Sequence, residues 1–231
     1  MPRRYESRNF QSILFDFDGV LGDTMEDHFR AWRSALAFVG IILKREAFFP
    51  LEGMSVYDTV EHFCKLFNIP ASRADEILNK KIEHYLKHHS FVFFPFVEEF
   101  IDSLRLKNIS FALVTAGMRN RLNATVPLDF LAKFPVIITG ERGVRMKPCP
   151  DPYLAAAQEL GVDPRESIVV ENAPLGVQAA KAAGCFCIAL ETSVSKEYLT
   201  QADETYPSFL DMQKSLAIQN LTISTICLQK K

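Results

Sequence analysis

Polar residues recur at the places where apolar segments of this chain end. In chain order they are Asp16 and Asp18, Thr115, Lys147, and the neighbouring Glu171 and Asn172. If the apolar segments are parallel strands, their carboxyl ends share one edge of a sheet, where ligands bind. We therefore expect these side chains to converge. Each residue alone is weak evidence for a catalytic site. The evidence is stronger because all of them occur in this order, each at the end of an apolar segment.

The converging groups suit phosphoryl transfer, which needs a nucleophile, charge neutralisation and positioning. The carboxylate of Asp16 can attack phosphorus and form an acyl phosphate. Asp18 lies two residues further on, and it can protonate the leaving oxygen and then deprotonate the attacking water. Thr115 and Lys147 can hold the remaining phosphate oxygens.

A cation is needed to bring a carboxylate nucleophile close to a phosphate. Mg²⁺ takes oxygen ligands, accepts few carboxylates and completes its shell with water and phosphate. We expect a magnesium site formed by Asp16, Asp18, Glu171 and Asn172, with Asp18 contributing its backbone carbonyl. The sequence leaves open whether Glu171 or Asn172 is the direct ligand.

Five apolar segments predict the buried strands that would position these groups. They are Ser12–Phe17, Ser110–Thr115, Val136–Thr139, Ser167–Val170 and Cys185–Leu190. Helical patterns lie between them, at Val97–Leu106, Asp151–Leu160 and Pro174–Ala183. This alternation indicates an α/β fold with a doubly wound parallel sheet. The alternating segment Leu221–Leu228 predicts an additional edge strand.

The segment from about Glu26 to Phe94 interrupts the alternation. It carries three helical patterns and no convincing strand, the patterns being His28–Val39, Val56–Phe67 and Arg73–His88. We therefore expect an all-helical insert at residues 27–94, called the helical insert below. The α/β core would comprise residues 1–26 and 95–231.

The composition and net charge of the chain indicate which kinds of partner and which cellular location to expect. The chain has 231 residues, is 48% hydrophobic and carries a formal net charge of -2. We expect no nucleic-acid or membrane partner, a cytoplasmic location, and a monomer or weak dimer. The 5 cysteines form no regular disulfide framework. Cys185 and Cys187 are expected to be buried thiols on opposite faces of one strand.

The polar residues and their neighbours resemble the haloacid dehalogenase superfamily. The first motif of that superfamily corresponds to Asp16 through Leu21, the second to Thr115 and the third to Lys147 through Asp151. The fourth corresponds to Glu171 through Gly184, with Asn172 in place of the second acidic residue. The resemblance implies a Rossmann-like core, and Asn172 leaves one fewer anion at the metal.

The helical insert resembles the cap of the branch that contains β-phosphoglucomutase and small sugar-phosphate phosphatases. The stretch from Thr24 to Trp32 is very similar to the mutase pattern. The resemblance implies that Thr24, His28 and Lys81 support proton transfer. It also implies that Gly53, Ala116 and Gly117 lie near the substrate. Alternatively, His28 and Trp32 simply pack on one helix face.

Two residues of the insert depart from the mutase pattern. Val56 stands where the mutase has the arginine that grips the distal phosphate, and Glu52 stands where it has a lysine. The expected function is therefore a Mg²⁺-dependent phosphatase that acts on a small phosphomonoester through an aspartyl-phosphate. The alternatives are a phosphosugar mutase and a catalytically silent binder of a phosphorylated ligand.

Overall fold

A parallel sheet of six strands forms the centre of the computed structural model, which describes residues 9–141 and 145–221. The strands are β1 (Ser12–Phe15), β2 (Ser110–Val114), β3 (Val136–Ile138), β4 (Ser167–Glu171), β5 (Phe186–Leu190) and β6 (Glu204–Tyr206). Their order across the sheet is β3-β2-β1-β4-β5-β6. The chain thus winds outward in both directions from the neighbouring strands β1 and β4. Ligands bind at such a switch point in open α/β sheets.

Helices cover both faces of the sheet. In the core they are α5 (Val97–Leu106), α6 (Arg119–Thr125), α7 (Leu128–Leu131), α8 (Asp151–Leu160), α9 (Pro174–Ala182), α10 (Phe209–Met212) and α11 (Leu216–Gln219), with short 3₁₀ helices at Pro164–Glu166 and Lys196–Tyr198. Ile13 and Phe15 of β1 pack in the same cluster as Ile101 of α5, whereas Leu14 packs in a cluster with Tyr153 of α8. Alternate strand residues therefore enter opposite layers, which explains why these strands are apolar throughout.

The helical insert has a hydrophobic cluster of its own. Its helices are α1 (Met25–Ala37), α2 (Arg45–Phe48), α3 (Val56–Leu66) and α4 (Ala74–His88), with 3₁₀ helices at Phe49–Leu51 and Ala71–Arg73. Trp32, Leu36, Phe63 and Ile77 lie in this cluster and are almost fully buried. Because they come from α1, α3 and α4, the apolar faces of these helices are satisfied within the insert.

Most predicted elements are confirmed, and the differences have simple causes. The five predicted strands and the three predicted helices of the core are present within two residues of their expected ends. Strand β6 was not predicted because it has three residues and two of them, Glu204 and Thr205, are polar. The expected edge strand Leu221–Leu228 lies, apart from Leu221, outside the described residues, as does Cys227.

Cys185 and Cys187 are buried free thiols, as expected. The prediction that they face opposite sides of the strand is wrong, because residues two apart in a strand share a face. Both pack in one cluster with Ala180 of α9. In the part of the chain that the structure describes, no helix combines the length and the apolar character needed to cross a membrane.

Gly176 allows α9 to lie against the end of β4. A Cβ atom at this position would collide with the carboxyl group of Glu171, the last residue of β4. An alanine in a helix is normally about 1 kcal/mol more favourable than glycine. We expect Gly176→Ala to destabilise the fold by about 1–3 kcal/mol instead, because the collision outweighs this gain.

The measurement is the free energy of unfolding in urea. The matched control is Ala182→Gly at an exposed position of the same helix, which measures the helix-propensity contribution alone. A Gly176→Ala variant as stable as the wild-type protein, or more stable, would contradict the close packing of α9 on Glu171.

Candidate active site

A buried ion-pair triad lies at the carboxyl ends of β1 and β4. Asp16 follows β1, and its backbone N–H donates a 3.0 Å hydrogen bond to the carbonyl of Val170 in β4. The Lys147 ammonium group is 2.5 Å from Asp16 Oδ1 and 2.5 Å from Glu171 Oε1. Lys147 is 1% exposed, Glu171 0% and Asp16 6%. One cation thus neutralises two carboxylates from neighbouring strands.

Glu171 has both carboxylate oxygens engaged within the protein. Oε1 also accepts a 2.6 Å hydrogen bond from the Tyr153 hydroxyl. Oε2 accepts hydrogen bonds from the backbone N–H groups of Asn172 and Ala173, at 3.0 and 3.3 Å. This geometry suits Glu171 to hold Lys147 in position and favours Asn172 over Glu171 as a direct metal ligand.

Burial and the neighbouring charges shift the pKa values of the triad in opposite directions. Burial raises the pKa of Asp16 to about 7, an effect that Lys147 opposes and that Glu171 and Asp18 reinforce. Burial alone would lower the pKa of Lys147, but the two adjacent carboxylates outweigh it and raise that pKa. A cation bound beside Asp16 would favour its ionised carboxylate.

Asp18 is held by a guanidinium group. Arg121 Nη1 and Nη2 donate to Asp18 Oδ1 and Oδ2 at 3.1 and 2.5 Å. The Thr24 hydroxyl donates to Oδ1 at 2.7 Å. Burial would raise the pKa of Asp18, but Arg121, assisted by His28 and Thr24, holds it well below its usual range. In this arrangement Asp18 is ionised, and its pairing with Arg121 makes it a weak proton acceptor.

His28 connects Asp18 to a buried lysine. Its Nδ1 is 3.0 Å from Lys81 Nζ, and its Nε2 is 3.2 Å from Asp18 Oδ1. Because an ionised carboxylate only accepts, Nε2 must carry the proton that is donated to Asp18, and Nδ1 accepts from Lys81. Burial, reinforced by Lys81 and opposed by Asp18, lowers the pKa of His28 to about 4, so the imidazole is neutral.

The remaining residues predicted from the sequence surround the same cavity. Thr115 Oγ1 accepts a 3.0 Å hydrogen bond from the backbone N–H of Gly117 and lies 3.5 Å from Asp18 Oδ2. Ala116 and Gly117 line the cavity beside Asp16 and Asp18, together with His28, Lys81 and Gly53. Thr24 is 1% exposed and reaches the site through its bond to Asp18.

Gly53 allows the insert to pack closely against the core. A Cβ atom here would lie 3.3 Å from Lys147 Cδ and 3.4 Å from the backbone nitrogen of Gly176. Its φ of +86° is a conformation that glycine adopts readily. The loop after the 3₁₀ helix Phe49–Leu51 is therefore closely seated over Lys147.

Asn172 forms a direct link between the core and the insert. Its Nδ2 donates to Glu52 Oε2 at 3.0 Å and to Ser193 Oγ at 2.8 Å. From the sequence, Glu52 stands where the mutase has a lysine, and in the structure its carboxylate accepts a hydrogen bond from Asn172. Burial, with Asp16, Glu171 and Asp18 nearby, raises the pKa of Glu52 well above its usual range, although Ser193 opposes this.

The oxygen-rich character of this edge fits Mg²⁺. Asp16, Asn172 and the backbone carbonyl of Asp18 offer hard oxygen donors of the type that this ion prefers. Within residues 9–141 and 145–221, no three His, Cys, Asp or Glu side chains are arranged to hold a metal by themselves. An ion here would need amide, backbone, water or phosphate oxygens as well, which is typical of Mg²⁺.

Three residues of the site were not predicted from the sequence. They are Arg121, Tyr153 and Glu52, of which only Glu52 was noted, as the residue that stands where the mutase has a lysine. The nearby Arg119 points elsewhere, because its Nη2 donates to the carbonyl of Ile137 at 2.7 Å. Arg121 and Arg119 both lie on α6, so only the helix orientation distinguishes them.

Comparisons with known proteins match nearly the whole chain. A family model described as haloacid dehalogenase-like hydrolase matches residues 13–190. Hexitol phosphatase A of Escherichia coli is 32% identical over 205 residues, which cover 84% of this chain and 88% of that protein. The β-phosphoglucomutase of Bacillus subtilis is 27% identical, covering 77% of this chain and 82% of the enzyme.

A solved structure from Bacteroides vulgatus, provisionally assigned as a β-phosphoglucomutase, has the same fold. Its TM-score is 0.81 with 31% sequence identity, covering 93% of this chain and 91% of that one. A longer relative is Protein SUPPRESSOR OF QUENCHING 1, chloroplastic, of Arabidopsis thaliana, with 28% identity over 83% of this chain. The matched region spans only 19% of that protein's length.

Lys81 is a buried lysine, and its charged form destabilises the folded protein. Burial, together with Arg121 and against the effect of Asp18, lowers its pKa to about 7. In the unfolded chain this lysine titrates near 10.4, so the native state is penalised most below pH 7. We expect Lys81→Met to raise the free energy of unfolding by about 1 kcal/mol or more at pH 6.5.

The gain should shrink as pH rises from about 7 toward 10, because Lys81 becomes neutral in the native state over that range. Urea denaturation at several pH values measures it. Lys80→Met, an exposed neighbour on α4, is the matched control and should change stability by less than about 0.5 kcal/mol. A pH-independent loss of stability in Lys81→Met would contradict this prediction.

Proposed function

Because the chain belongs to the haloacid dehalogenase-like hydrolases and is an enzyme, we propose that it hydrolyses small phosphomonoesters, such as sugar phosphates, through an aspartyl-phosphate. The observation that carries the proposal is the buried Lys147 ammonium group, 2.5 Å from Asp16. It lowers the repulsion between a carboxylate nucleophile and an incoming phosphate. The similarity to Hexitol phosphatase A supports a sugar phosphate as substrate.

In the first half of the proposed reaction, Asp16 forms a bond to phosphorus as the bond from phosphorus to the leaving alcohol breaks. Asp18 donates a proton to the departing oxygen. In the second half, Asp18 takes a proton from a water molecule, which attacks phosphorus and releases Asp16 and inorganic phosphate. Thr115 and Lys147 would hold the phosphoryl oxygens in both halves.

Arg121 must release Asp18 before the first proton transfer. An ionised Asp18 that accepts two hydrogen bonds from Arg121 cannot donate a proton. A substrate phosphate would compete with Asp18 for the guanidinium group, since arginine also binds phosphate in a bidentate manner. Without Arg121, burial would raise the pKa of Asp18 toward the protonated form.

Mg²⁺ would be held by Asp16, Asn172 and the backbone carbonyl of Asp18, and when bound it would supply positive charge beside the nucleophile and the phosphate. The helical insert would act as a cap that excludes water and contributes selectivity. Glu171 would keep Lys147 in place rather than bind the ion directly.

The first test is Asp16→Asn. This nearly isosteric change removes the nucleophile, so we expect phosphate release to fall below detection while the circular dichroism spectrum is unchanged. Asp18→Asn should lower the rate by about 10²–10⁴-fold. Near wild-type phosphate release by folded Asp16→Asn would rule out the aspartyl-phosphate route.

A phosphosugar mutase is the second candidate, favoured by the arrangement of His28 between Asp18 and Lys81 and by the similarity to the Bacillus subtilis β-phosphoglucomutase. A mutase must also grip a second, non-reacting phosphate. The insert contributes an apolar lining to the cavity, from Met25, Trp32, Phe48, Leu51, Met54, Val56 and Ile82. Arg119 points away from the cavity. In the proposed reaction Arg121 alternates between Asp18 and the reacting phosphate, so it does not serve a second phosphate, which favours the hydrolase.

We therefore expect net release of inorganic phosphate from β-glucose 1-phosphate supplied with a trace of the bisphosphate. Glucose 6-phosphate should form slowly or not at all, because the apolar lining makes no charge-assisted bonds to a second phosphate. Both products are followed in the same reaction mixture. Rapid formation of glucose 6-phosphate with negligible free phosphate would instead identify a mutase.

A further inference from the structure

Glu52 is a carboxylate of the helical insert that is buried against the core. It directly follows the 3₁₀ helix Phe49–Leu51 and is only 4% exposed. Its Oε2 accepts the hydrogen bond from Asn172, whereas its buried Oε1 has no hydrogen-bond partner among the described residues. An unpaired buried oxygen is rare in folded proteins and indicates an additional partner, such as water or an ion.

The surroundings of Glu52 are acidic. Asp16, Asp18 and Glu171 all act on its carboxylate as like charges. The basic groups at this edge are already paired, Lys147 with Asp16 and Glu171, and Arg121 with Asp18. Glu52 faces the cavity that Asp16 and Asp18 line. A cation from solution is therefore the partner that would balance Glu52 in its ionised form, whereas without one the raised pKa favours the protonated carboxyl group.

The side-chain amide of Asn172 can lie next to the Glu52 carboxylate without electrostatic repulsion. An aspartate at position 172 would bring a second carboxylate within about 3 Å of Glu52, which is strongly unfavourable without a cation. The amide avoids this repulsion because Nδ2 donates to both Glu52 and Ser193. The amide oxygen takes no part in either of these bonds. Compared with the acidic pair expected at the end of this strand, the second carboxylate therefore comes from the insert.

We propose that Glu52 supplies from the helical insert the carboxylate that Asn172 does not supply, so that insert and core hold the divalent cation jointly. This inference rests on the proposed use of Mg²⁺ at the Asp16 site. Cation binding then favours the position of the insert in this structure, packed against the core, which we call the closed position. Movement of the insert away from the core removes Glu52 and weakens the hold on the ion.

Cation binding is measured directly on the full chain without substrate, using Mn²⁺ electron paramagnetic resonance and Mg²⁺ titration calorimetry. Glu52→Gln keeps the size of the side chain but removes its charge, and it should raise the Kd about 10- to 100-fold. Glu61→Gln, an exposed residue of the insert, makes the same change in net charge and should leave the Kd unchanged. Thermal unfolding verifies that each variant is folded.

The exchanged variant Glu52→Gln/Asn172→Asp places the carboxylate on the core while keeping a hydrogen bond between the two side chains. It should restore the Kd to within about threefold of the wild-type value, and it remains informative if Glu52→Gln alone does not fold. An unchanged Kd in Glu52→Gln would overturn the inference and leave the proposed function intact. Absence of cation binding by the wild-type protein would instead refute the proposed metal site itself.

Trp32 provides an independent readout of the insert. It is the only tryptophan, and it lines the cavity between insert and core. Mg²⁺ should change its fluorescence in the wild-type protein but much less in the exchanged variant, where the cation is bound without a carboxylate from the insert. An equal change in both proteins would show that cation binding does not favour closure through Glu52.

Discussion

The Lys147 ammonium group, buried between Asp16 and Glu171, is the contact on which the site depends. Each carboxylate comes from the end of a different strand, so the pair also joins β1 and β4 where the sheet changes winding direction. Removing either partner from such a buried pair leaves an uncompensated charge. Tyr153 and two backbone N–H groups fix Glu171, and Gly176 leaves room for it.

The sheet and its strand-end residues were predictable from the sequence because topology alone determines where they lie. Asp16, Thr115 and Lys147 follow apolar segments, and parallel strands bring such positions together whatever the details of packing. The helix Asp151–Leu160 was predicted to the residue, since Gly161 ends it in a left-handed conformation. Strand β6 was missed because it lacks an apolar segment.

Contacts between residues far apart in the sequence could not be predicted in the same way. Glu52 and Asn172 are 120 positions apart, and Arg121 is 103 positions from Asp18. Whether Arg119 or Arg121 enters the site depends on how α6 is rotated, which no local pattern encodes. The same holds for Glu52, whose direction follows from the loop over Lys147. The sequence therefore indicated the reacting groups better than the groups that adjust their charge.

The apolar lining of the cavity contains thioethers from both parts of the chain. Met25 and Met54 come from the insert, and Met118 precedes α6 in the core. Unbranched thioether side chains change shape at low cost and fill irregular spaces. Selectivity at this wall would therefore depend on the bulk and polarity of the alcohol rather than on a fixed set of hydrogen bonds. Such a wall favours an enzyme of broad tolerance, whose preferences can change through single substitutions without rebuilding the catalytic edge.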